Sequence, residues 1–352
     1  MHVELLLRKS CLLALLFAAT PSLALAQWQT MTPGGETRCS DGSPYRFFVH
    51  PGDSAKLLVE FEGGGACWSG VTCELDVYNK RITQDPETAR QQGLLQGIYD
   101  RANPENPFRD FTHVYIPYCT GDLHWGNRTQ SYQGATGNTY AIEHRGAANA
   151  TAALNWASGN VANPSQVVVA GCSAGGYGAT LWSAQIARRY AGATLRHLSD
   201  SAAGIVTPGF FETLLPTWGV GDVWPSFIPG LDLSRLDAKA LALPDLYAGI
   251  AGFYPLASFA QFNTRSDNTQ TFFYALSKGS LGINDSADWT AGMTASVDRI
   301  EAQNPNFDSF IAGGTQHCVI NQANFYSMSA GGRRVVDWVK TLVTTGAPGT
   351  VR

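Results

Sequence analysis

Short apolar runs alternate along this chain with longer stretches in which apolar residues recur every three or four positions. The first pattern is typical of buried strands and the second of helices. Strands and helices that take turns in this way usually form a mainly parallel sheet with helices on both faces. The pattern therefore predicts an α/β fold.

The predicted elements follow one another along most of the chain. The apolar runs at 45–49 and 57–61 predict two paired strands, joined by a His-Pro-Gly-Asp turn. Further strands are expected at 111–117, 167–169, 194–199, 259–263 and 309–312, and helices at 85–100, 140–156 and 333–343.

Residues 205–257 interrupt this rhythm with an insertion rich in aromatic residues and proline. We expect it to form a cap whose rings line a ligand cleft. The alternative is an insertion that packs only against its own core. No linker divides the chain, so a single domain is expected over residues 27–352.

The first 26 residues have the features of a secretory signal peptide. Arg8 and Lys9 precede an apolar run, and Ala24-Leu25-Ala26 forms a small-residue cleavage site. No later stretch reaches the roughly 18 consecutive apolar residues of a membrane-spanning helix. We therefore expect a secreted or periplasmic protein without a membrane span.

The number of cysteines and the net charge further limit the class of protein to which this chain can belong. Loss of Cys11 with the signal peptide leaves six cysteines, an even number that favours disulfides in an exported chain. Zinc is the alternative, but no Cys-x-x-Cys or His-x-x-x-His spacing supports a metal site. The net charge is −4 and only 15% of residues are charged, so nothing suggests a nucleic acid or an anionic surface as partner.

A nucleophile elbow is predicted around Ser173. The β-branched run 167–169 leads into GCSAG at 171–175, and an Ala-rich helical pattern follows. Gly-x-Ser-x-Gly between a strand and a helix places the serine on a tight turn, where glycines let the two elements approach closely. The alternative is a Gly- and Ala-rich turn with an incidental serine.

A serine nucleophile needs a base and an acid, and in the fold that carries such an elbow the chain order is Ser, Asp or Glu, His. Only His317 follows Ser173 at a plausible distance, because His197 lies on the next predicted strand. Asp267 directly follows a predicted strand and is the preferred acid. Its competitors are Asp245, Asp285 and Asp288.

The oxyanion of an acyl-transfer intermediate needs backbone N–H donors from two places. One is the residue after the nucleophile, here Ala174, and the other is a loop after an earlier strand. The triplet Gly63-Gly64-Gly65 directly follows the predicted strand 57–61 and supplies such a loop, unless it is only a turn.

Five segments, taken in order, resemble the pectin acetylesterase/Notum family of secreted serine carboxylesterases. They are EGGGACW (62–68), IPYCTGD (116–122), GCSAGG (171–176), SDNTQ (266–270) and HC (317–318). The resemblance runs from about residue 39 to 318 and implies an α/β-hydrolase-like catalytic domain over 27–352. It also implies the functional residues: Ser173 as nucleophile, Asp267 as acid, His317 as base, and Gly64, Gly65 and Ala174 as oxyanion donors.

The same resemblance implies a disulfide framework. Cys67 would pair with Cys73 and Cys39 with Cys119, which leaves Cys172 for Cys318. We expect the last bond to fix the nucleophile relative to the base.

Two positions depart from the family pattern. The family often has a tryptophan shortly before the cysteine of the oxyanion loop, whereas Ala66 precedes Cys67 here and Trp68 follows it. Ser266 replaces the family tyrosine before the acid. We expect these changes to alter the pocket wall rather than the chemistry.

Together these features predict a secreted serine esterase that removes O-acetyl groups from a polysaccharide such as pectin. The reaction requires neither a metal nor an organic cofactor, and the expected partner is an acetylated carbohydrate. One alternative is an esterase for longer-acyl or other small esters. An alternative of a different class is a secreted binding protein that kept the fold and lost the chemistry.

Overall fold

The computed structural model describes residues 27–280 and 286–352. The expected signal peptide at 1–26 and Asp285, one of the candidate acids, lie outside these described residues.

Strands and helices alternate along the described chain. The strands are β1 (Gln29–Met31), β2 (Phe47–His50), β3 (Asp53–Phe61), β4 (Phe111–Ile116), β5 (Arg128–Gln133), β6 (Thr139–His144), β7 (Gln166–Cys172), β8 (Thr194–Asp200), β9 (Ser258–Thr264), β10 (Phe307–Ala312), β11 (Ser329–Ala330) and β12 (Arg333–Arg334). The α-helices are α1 (Gly70–Glu74), α2 (Pro86–Gln91), α3 (Gly146–Asn160), α4 (Ala174–Arg189), α5 (Phe210–Trp218), α6 (Leu243–Phe253), α7 (Asn268–Ser277), α8 (Ser286–Gln303) and α9 (Val335–Thr344). Within the described ranges, the helices are too short or too polar to cross a membrane.

Eight strands form one sheet in the order β1-β2-β4-β3-β7-β8-β9-β10. Neighbouring strands from β4 to β10 are parallel, whereas β1 and β2 run antiparallel to their neighbours. The carboxyl ends of the parallel strands therefore share one edge of the sheet, where the loops that follow them meet. The predicted α/β class with a mainly parallel sheet is confirmed.

The sheet is covered on both faces. Val167 and Val169 of β7 belong to a core built with α3, α4, α6 and α8, whereas Val168 and Ala170 belong to a second core closed by α9. All four side chains are fully buried. A strand buried on both faces reads as a continuous apolar run, which is why β7 shows no alternation.

The predicted pairing of 45–49 with 57–61 is wrong. β4 lies between β2 and β3, with Phe48 opposite Tyr115 on one side and Val59 opposite Val114 on the other. The carboxyl half of β3 is buried throughout, and a strand covered on both faces suits the centre of a parallel sheet. The turn after β2 reverses the chain direction but does not determine which strand pairs with β2.

The predicted helix at 140–156 is wrong in its first part. Thr139–His144 forms β6, which pairs with β5, and α3 begins only at Gly146. More and less exposed side chains alternate along β6, so the segment follows the two-residue period of a strand and not the spacing of a helix. The predicted helix at 85–100 is shortened to α2, which Asp85 caps by accepting the Thr88 N–H.

Three disulfides cross-link the fold. They join Cys39 to Cys119, Cys67 to Cys73 and Cys172 to Cys318, the pairs that the family resemblance implies. The first and third bonds connect residues 80 and 146 positions apart, so each restricts a long loop of the unfolded chain. Such bonds persist in oxidising compartments and fit a secreted protein.

We expect no free thiol in residues 27–352, because all six cysteines of that range are bonded. A thiol reagent should give no signal on the denatured, unreduced protein. Reduction of the same sample, as the control, should expose all six. Free thiols that map to Cys172 and Cys318 would contradict the bond between those residues.

Candidate active site

Ser173 occupies a strained turn between β7 and α4. Its backbone has φ 56° and ψ −125°, in a region that non-glycine residues rarely adopt. Two neighbours must be glycine, because a Cβ on Gly171 would lie 2.2 Å from the Gly175 carbonyl oxygen and one on Gly175 would lie 1.9 Å from that of Phe61. The sequence GCSAG therefore folds as the expected elbow.

His317 and Asp267 are hydrogen-bonded to each other. The imidazole Nδ1 lies 3.0 and 2.8 Å from the two carboxylate oxygens of Asp267, which is fully buried. Asp267 follows β9 and His317 follows β10, so both side chains come from the edge where Ser173 lies. The His317 Nε2 atom is buried and has no hydrogen-bond partner among the described residues. An imidazole anchored at Nδ1 by a carboxylate leaves Nε2 for proton transfer.

Gln270 explains the Asp-x-x-Gln sequence. Asp267 caps α7 by accepting the backbone N–H of Gln270 at 2.9 Å, and the Gln270 side-chain amide donates to the other oxygen of Asp267 at 3.1 Å. The side-chain Oε1 of Gln270 in turn accepts the backbone N–H of Ala203 at 2.8 Å. These bonds fix the orientation of the Asp267 carboxylate.

The glycine loop after β3 packs against the elbow. A Cβ on Gly63 would lie 2.6 Å from the Cys172 carbonyl oxygen, and one on Gly65 would lie 1.8 Å from that of Val77. Gly65 also has φ 77°, which favours glycine. The backbone N–H groups of Gly64, Gly65 and Ala174 have no carbonyl partner within the described chain. Free donors beside a serine suit an oxyanion.

Asp200 and Ser201 hold the histidine loop, and the sequence analysis missed both. Asp200 Oδ2 accepts the backbone N–H groups of Val319 and Ile320 at 2.7 and 2.8 Å, and Ser201 Oγ accepts that of Cys318 at 2.9 Å. The Asp200 carbonyl oxygen also accepts the N–H of Ser173 at 2.8 Å. The available signal was a polar Ser-Asp-Ser run at the carboxyl end of a buried strand.

The Asp200 carboxyl accepts hydrogen bonds from two backbone N–H groups and from the Ser201 hydroxyl. Burial raises its pKa to about 6, while the hydrogen bonds from Val319, Ile320 and Ser201 oppose that rise. Nearby His317 also favours the ionised form. A buried carboxylate that accepts several N–H groups is costly to replace, because its removal leaves those donors unsatisfied.

The competing acids lie elsewhere. Asp245 accepts the N–H of Ala242 at the start of α6 and pairs with Arg299 at 2.7 Å. Asp288 is exposed in the first turn of α8. Neither is bonded to a histidine in the described chain.

Cys172, His317 and Cys318 place one imidazole nitrogen and two sulfurs within 4.8 Å of one another. The two sulfurs are joined in a disulfide and therefore provide no thiolate ligand for a metal ion.

Ser173 and His317 lie where two cavities meet. The smaller, called the apolar pocket here, has a volume of about 80 Å³. Its walls are almost entirely apolar and come from the oxyanion loop, α5 and α7: Ala66, Trp68, Phe210, Phe211, Leu214, Trp218 and Phe273. The Trp68 ring packs edge-on against Phe210 at 5.1 Å. The insertion at 205–257 thus contributes rings to the wall of this pocket.

The larger cavity, called the polar cleft here, has a volume of about 740 Å³ and also reaches Ser173 and His317. Polar side chains line it on both sides, including Asn79, Thr83, Gln84, Asn321 and Gln322. The two cavities therefore differ in character: one is almost entirely apolar, whereas polar and apolar groups contribute equally to the lining of the other.

We expect Asp200→Asn to lower kcat about 10- to 100-fold, because a displaced histidine loop misplaces His317 relative to Ser173. KM should change little. The matched control is Asp308→Asn, which alters a partly buried carboxyl near the amino end of β10 and should retain kcat. Steady-state kinetics on a soluble ester, with circular dichroism to verify folding, makes the test. Full kcat in folded Asp200→Asn protein would contradict the positioning role.

Comparisons with known proteins agree with this architecture. The palmitoleoyl-protein carboxylesterase NOTUM of Schmidtea mediterranea is 33% identical over 106 residues, 28% of this chain and 19% of the relative. The palmitoleoyl-protein carboxylesterase NOTUM of Drosophila melanogaster is 35% identical over 99 residues, which make up 26% of this chain and 14% of the relative. The match thus spans a fifth or less of the length of these curated relatives.

A solved structure of the Wnt deacylase Notum from Drosophila has the same fold. It superimposes with a TM-score of 0.64 at 16% identity, over 90% of this chain and 92% of the other. The expected α/β-hydrolase-like fold is therefore confirmed. A family profile described as pectinacetylesterase matches residues 29–210, more than half of the chain. The chain belongs to the pectinacetylesterase family.

Proposed function

We propose that this protein is a secreted carboxylic ester hydrolase with Ser173 as nucleophile, His317 as base and Asp267 as the acid that orients the base. The observation that carries the proposal is the hydrogen bond between the buried Asp267 and His317, at 2.8 Å, beside a serine on a strained elbow. Family membership and the three disulfides support the same assignment.

The proposed reaction has two acyl-transfer steps. His317 Nε2 takes the proton of Ser173 as its Oγ attacks the ester carbonyl, and Asp267 stabilises the imidazolium that forms. The N–H groups of Gly64, Gly65 and Ala174 bind the oxyanion. The imidazolium then protonates the leaving alcohol, water attacks the acyl-enzyme by the same route, and the acid is released.

The proposed substrate is an O-acetyl ester of a polysaccharide such as pectin. The apolar pocket measures about 80 Å³, below the 300–1,000 Å³ typical of drug-sized ligand sites, and so suits a short acyl group. In this proposal residues 27–352 form one catalytic domain and 205–257 act as its cap, since Phe210 and Trp218 line the pocket.

A longer acyl group is the second candidate, because the similar curated proteins are described as palmitoleoyl-protein carboxylesterases. The small apolar pocket favours the acetyl ester instead. The non-catalytic alternative is disfavoured by three free N–H donors beside a histidine whose Nε2 is unpartnered within the described chain.

Ser173→Ala should abolish nearly all hydrolysis of p-nitrophenyl acetate, because the attacking oxygen is removed while the fold is kept. Ser165→Ala, at the amino end of β7 and far from the site, is the matched control and should keep wild-type rates. Initial rates on folded protein, with labelling by an active-site phosphonate, make the measurement. Activity retained in Ser173→Ala would mean that another residue is the nucleophile.

Acyl preference should follow the size of the apolar pocket. We expect kcat/KM to be highest for the acetyl ester and to fall about tenfold or more by the octanoyl ester. Phe210→Ala should raise the octanoyl-to-acetyl ratio, because it removes a pocket wall that packs against Trp68. Phe253→Ala, at a partly exposed position on α6, should leave the ratio unchanged. Wild-type preference for octanoyl esters would refute the short-acyl assignment.

A further inference from the structure

We propose that His124 is a positioning residue for the oxyanion loop, and that it acts through the hydrogen bond from its Nε2 atom to the Glu62 carbonyl oxygen. The oxyanion loop comprises residues 62–68. This inference rests on the proposed esterase function, because it concerns the geometry of the N–H donors at Gly64 and Gly65.

The oxyanion loop does not determine its own conformation. Residues 63–65 are all glycine, and glycine restricts its backbone angles less than any other residue. The direction of the N–H groups in this run must therefore be fixed from outside. In the middle of the run, the Gly64 carbonyl oxygen accepts the N–H of Asn79 at 2.9 Å. At the start of the loop, the Glu62 carbonyl oxygen accepts Nε2 of His124, also at 2.9 Å.

The ring of His124 lies between the oxyanion loop and the helix that follows the nucleophile. His124 is 1% exposed, and its ring meets that of Phe61 edge-on with the centroids 5.1 Å apart. A Cβ on Gly178 of α4 would lie 2.8 Å from the imidazole Cδ2 atom, so the ring occupies the space of a side chain. Trp182, one turn later in α4, donates its indole N–H to the His124 carbonyl oxygen at 2.9 Å. The helix that begins beside Ser173 therefore holds His124 in place.

The backbone of His124 is held in an unfavourable conformation. Leu123 and His124 both have positive φ, 58° and 64°. Residues other than glycine rarely adopt such values, and they do so where the surrounding structure imposes them. Asp122 contributes to this restraint by accepting the His124 N–H at 3.2 Å. Strained residues concentrate at functional sites, which supports a role for His124 beyond filling the core.

The imidazole of His124 is an uncharged donor. A carbonyl oxygen can only accept a hydrogen bond, so the proton of the ring lies on Nε2. Burial lowers the pKa of His124 to about 4, although the hydrogen bond to Glu62 opposes this fall. The ring is therefore neutral at the pH of an ordinary esterase assay. It orients the Glu62 carbonyl through one hydrogen bond and adds no buried charge.

Loss of this bond should affect the transition state more than substrate binding. The glycines could then rotate, and the N–H groups of Gly64 and Gly65 would be displaced from the oxyanion. Donors to an oxyanion act mainly in the transition state, so such a displacement lowers kcat more than it raises KM. A histidine that only filled the core would affect stability instead.

Two variants of equal length separate the donor from the shape of the side chain. His124→Gln places an amide nitrogen where Nε2 lies, since both atoms are equally many bonds from Cβ, whereas His124→Met has the same reach without a donor. We expect kcat on p-nitrophenyl acetate to fall about tenfold in His124→Met protein and about twofold or less in His124→Gln protein, with KM within about twofold. Ethylboronic acid, whose adduct with a serine places an oxygen in the oxyanion site, should lose affinity in parallel with kcat.

His197→Met is the matched control, because His197 is also a fully buried histidine and lies in the middle of β8. It should lower the melting temperature but retain kcat. His124→Asn, whose amide ends one bond short of Nε2, is a second variant without the donor and should lose as much kcat as His124→Met. It replaces the methionine variant if that protein does not fold. Circular dichroism verifies that each variant is folded at the assay temperature.

The other outcomes would overturn the positioning role. Wild-type kcat in folded His124→Met protein would show that the bond to Glu62 is not needed. An equal loss in the glutamine and methionine variants would mean that the shape of the imidazole acts and not its donor. A raised KM with unchanged kcat would place the effect in substrate binding. Each of these results leaves the wild-type esterase activity intact, whereas a wild-type protein that hydrolyses no ester would overturn the proposed function together with this inference.

Discussion

The site depends on Asp200, the last residue of β8, and on Ser201, which follows it. Asp200 and Ser201 bind the backbone after His317 through their side chains, and the Asp200 carbonyl oxygen binds the N–H of Ser173. Ser173 and His317 are 144 positions apart in the sequence, yet the loops that carry them are both hydrogen-bonded to the same buried end of β8. The Cys172–Cys318 disulfide connects the same two loops covalently. Small errors in catalytic geometry have large effects on rate. The hydrogen bonds and the disulfide are two independent restraints on the distance between Ser173 and His317.

The surroundings of Ser173 divide into two chemical environments. The apolar pocket is small and walled by rings, whereas the polar cleft is about nine times larger by volume and is lined by polar and apolar residues alike. An ester has a similar division when its acyl group is short and its alcohol is a sugar. In the proposed function, the size of the apolar pocket selects the acyl group and the larger cavity receives the alcohol.

Local sequence predicted the parts of this protein that local physics determines. The elbow around Ser173 needs glycines at fixed offsets, and Asp267 follows a buried strand, so both are readable from the chain. The predicted pairing of β2 with β3 was wrong, because strand order depends on which strands must be buried on both faces of the sheet. Asp200 was missed for a similar reason. Its role depends on hydrogen bonds from the backbone of Val319 and Ile320, and no spacing in the sequence shows that these segments lie together.

The wall of the apolar pocket has a consequence for how the substrate range of this chain can change. The Trp218 indole donates to the Cys67 carbonyl oxygen at 2.9 Å, so α5 is tied to the oxyanion loop. Trp68, the next residue of that loop, packs against Phe210 of the same helix. A movement of α5 that widened the pocket would thus also displace the loop that carries Gly64 and Gly65. If these glycines are the oxyanion donors that we propose, a wider pocket and a slower reaction are expected to arise together.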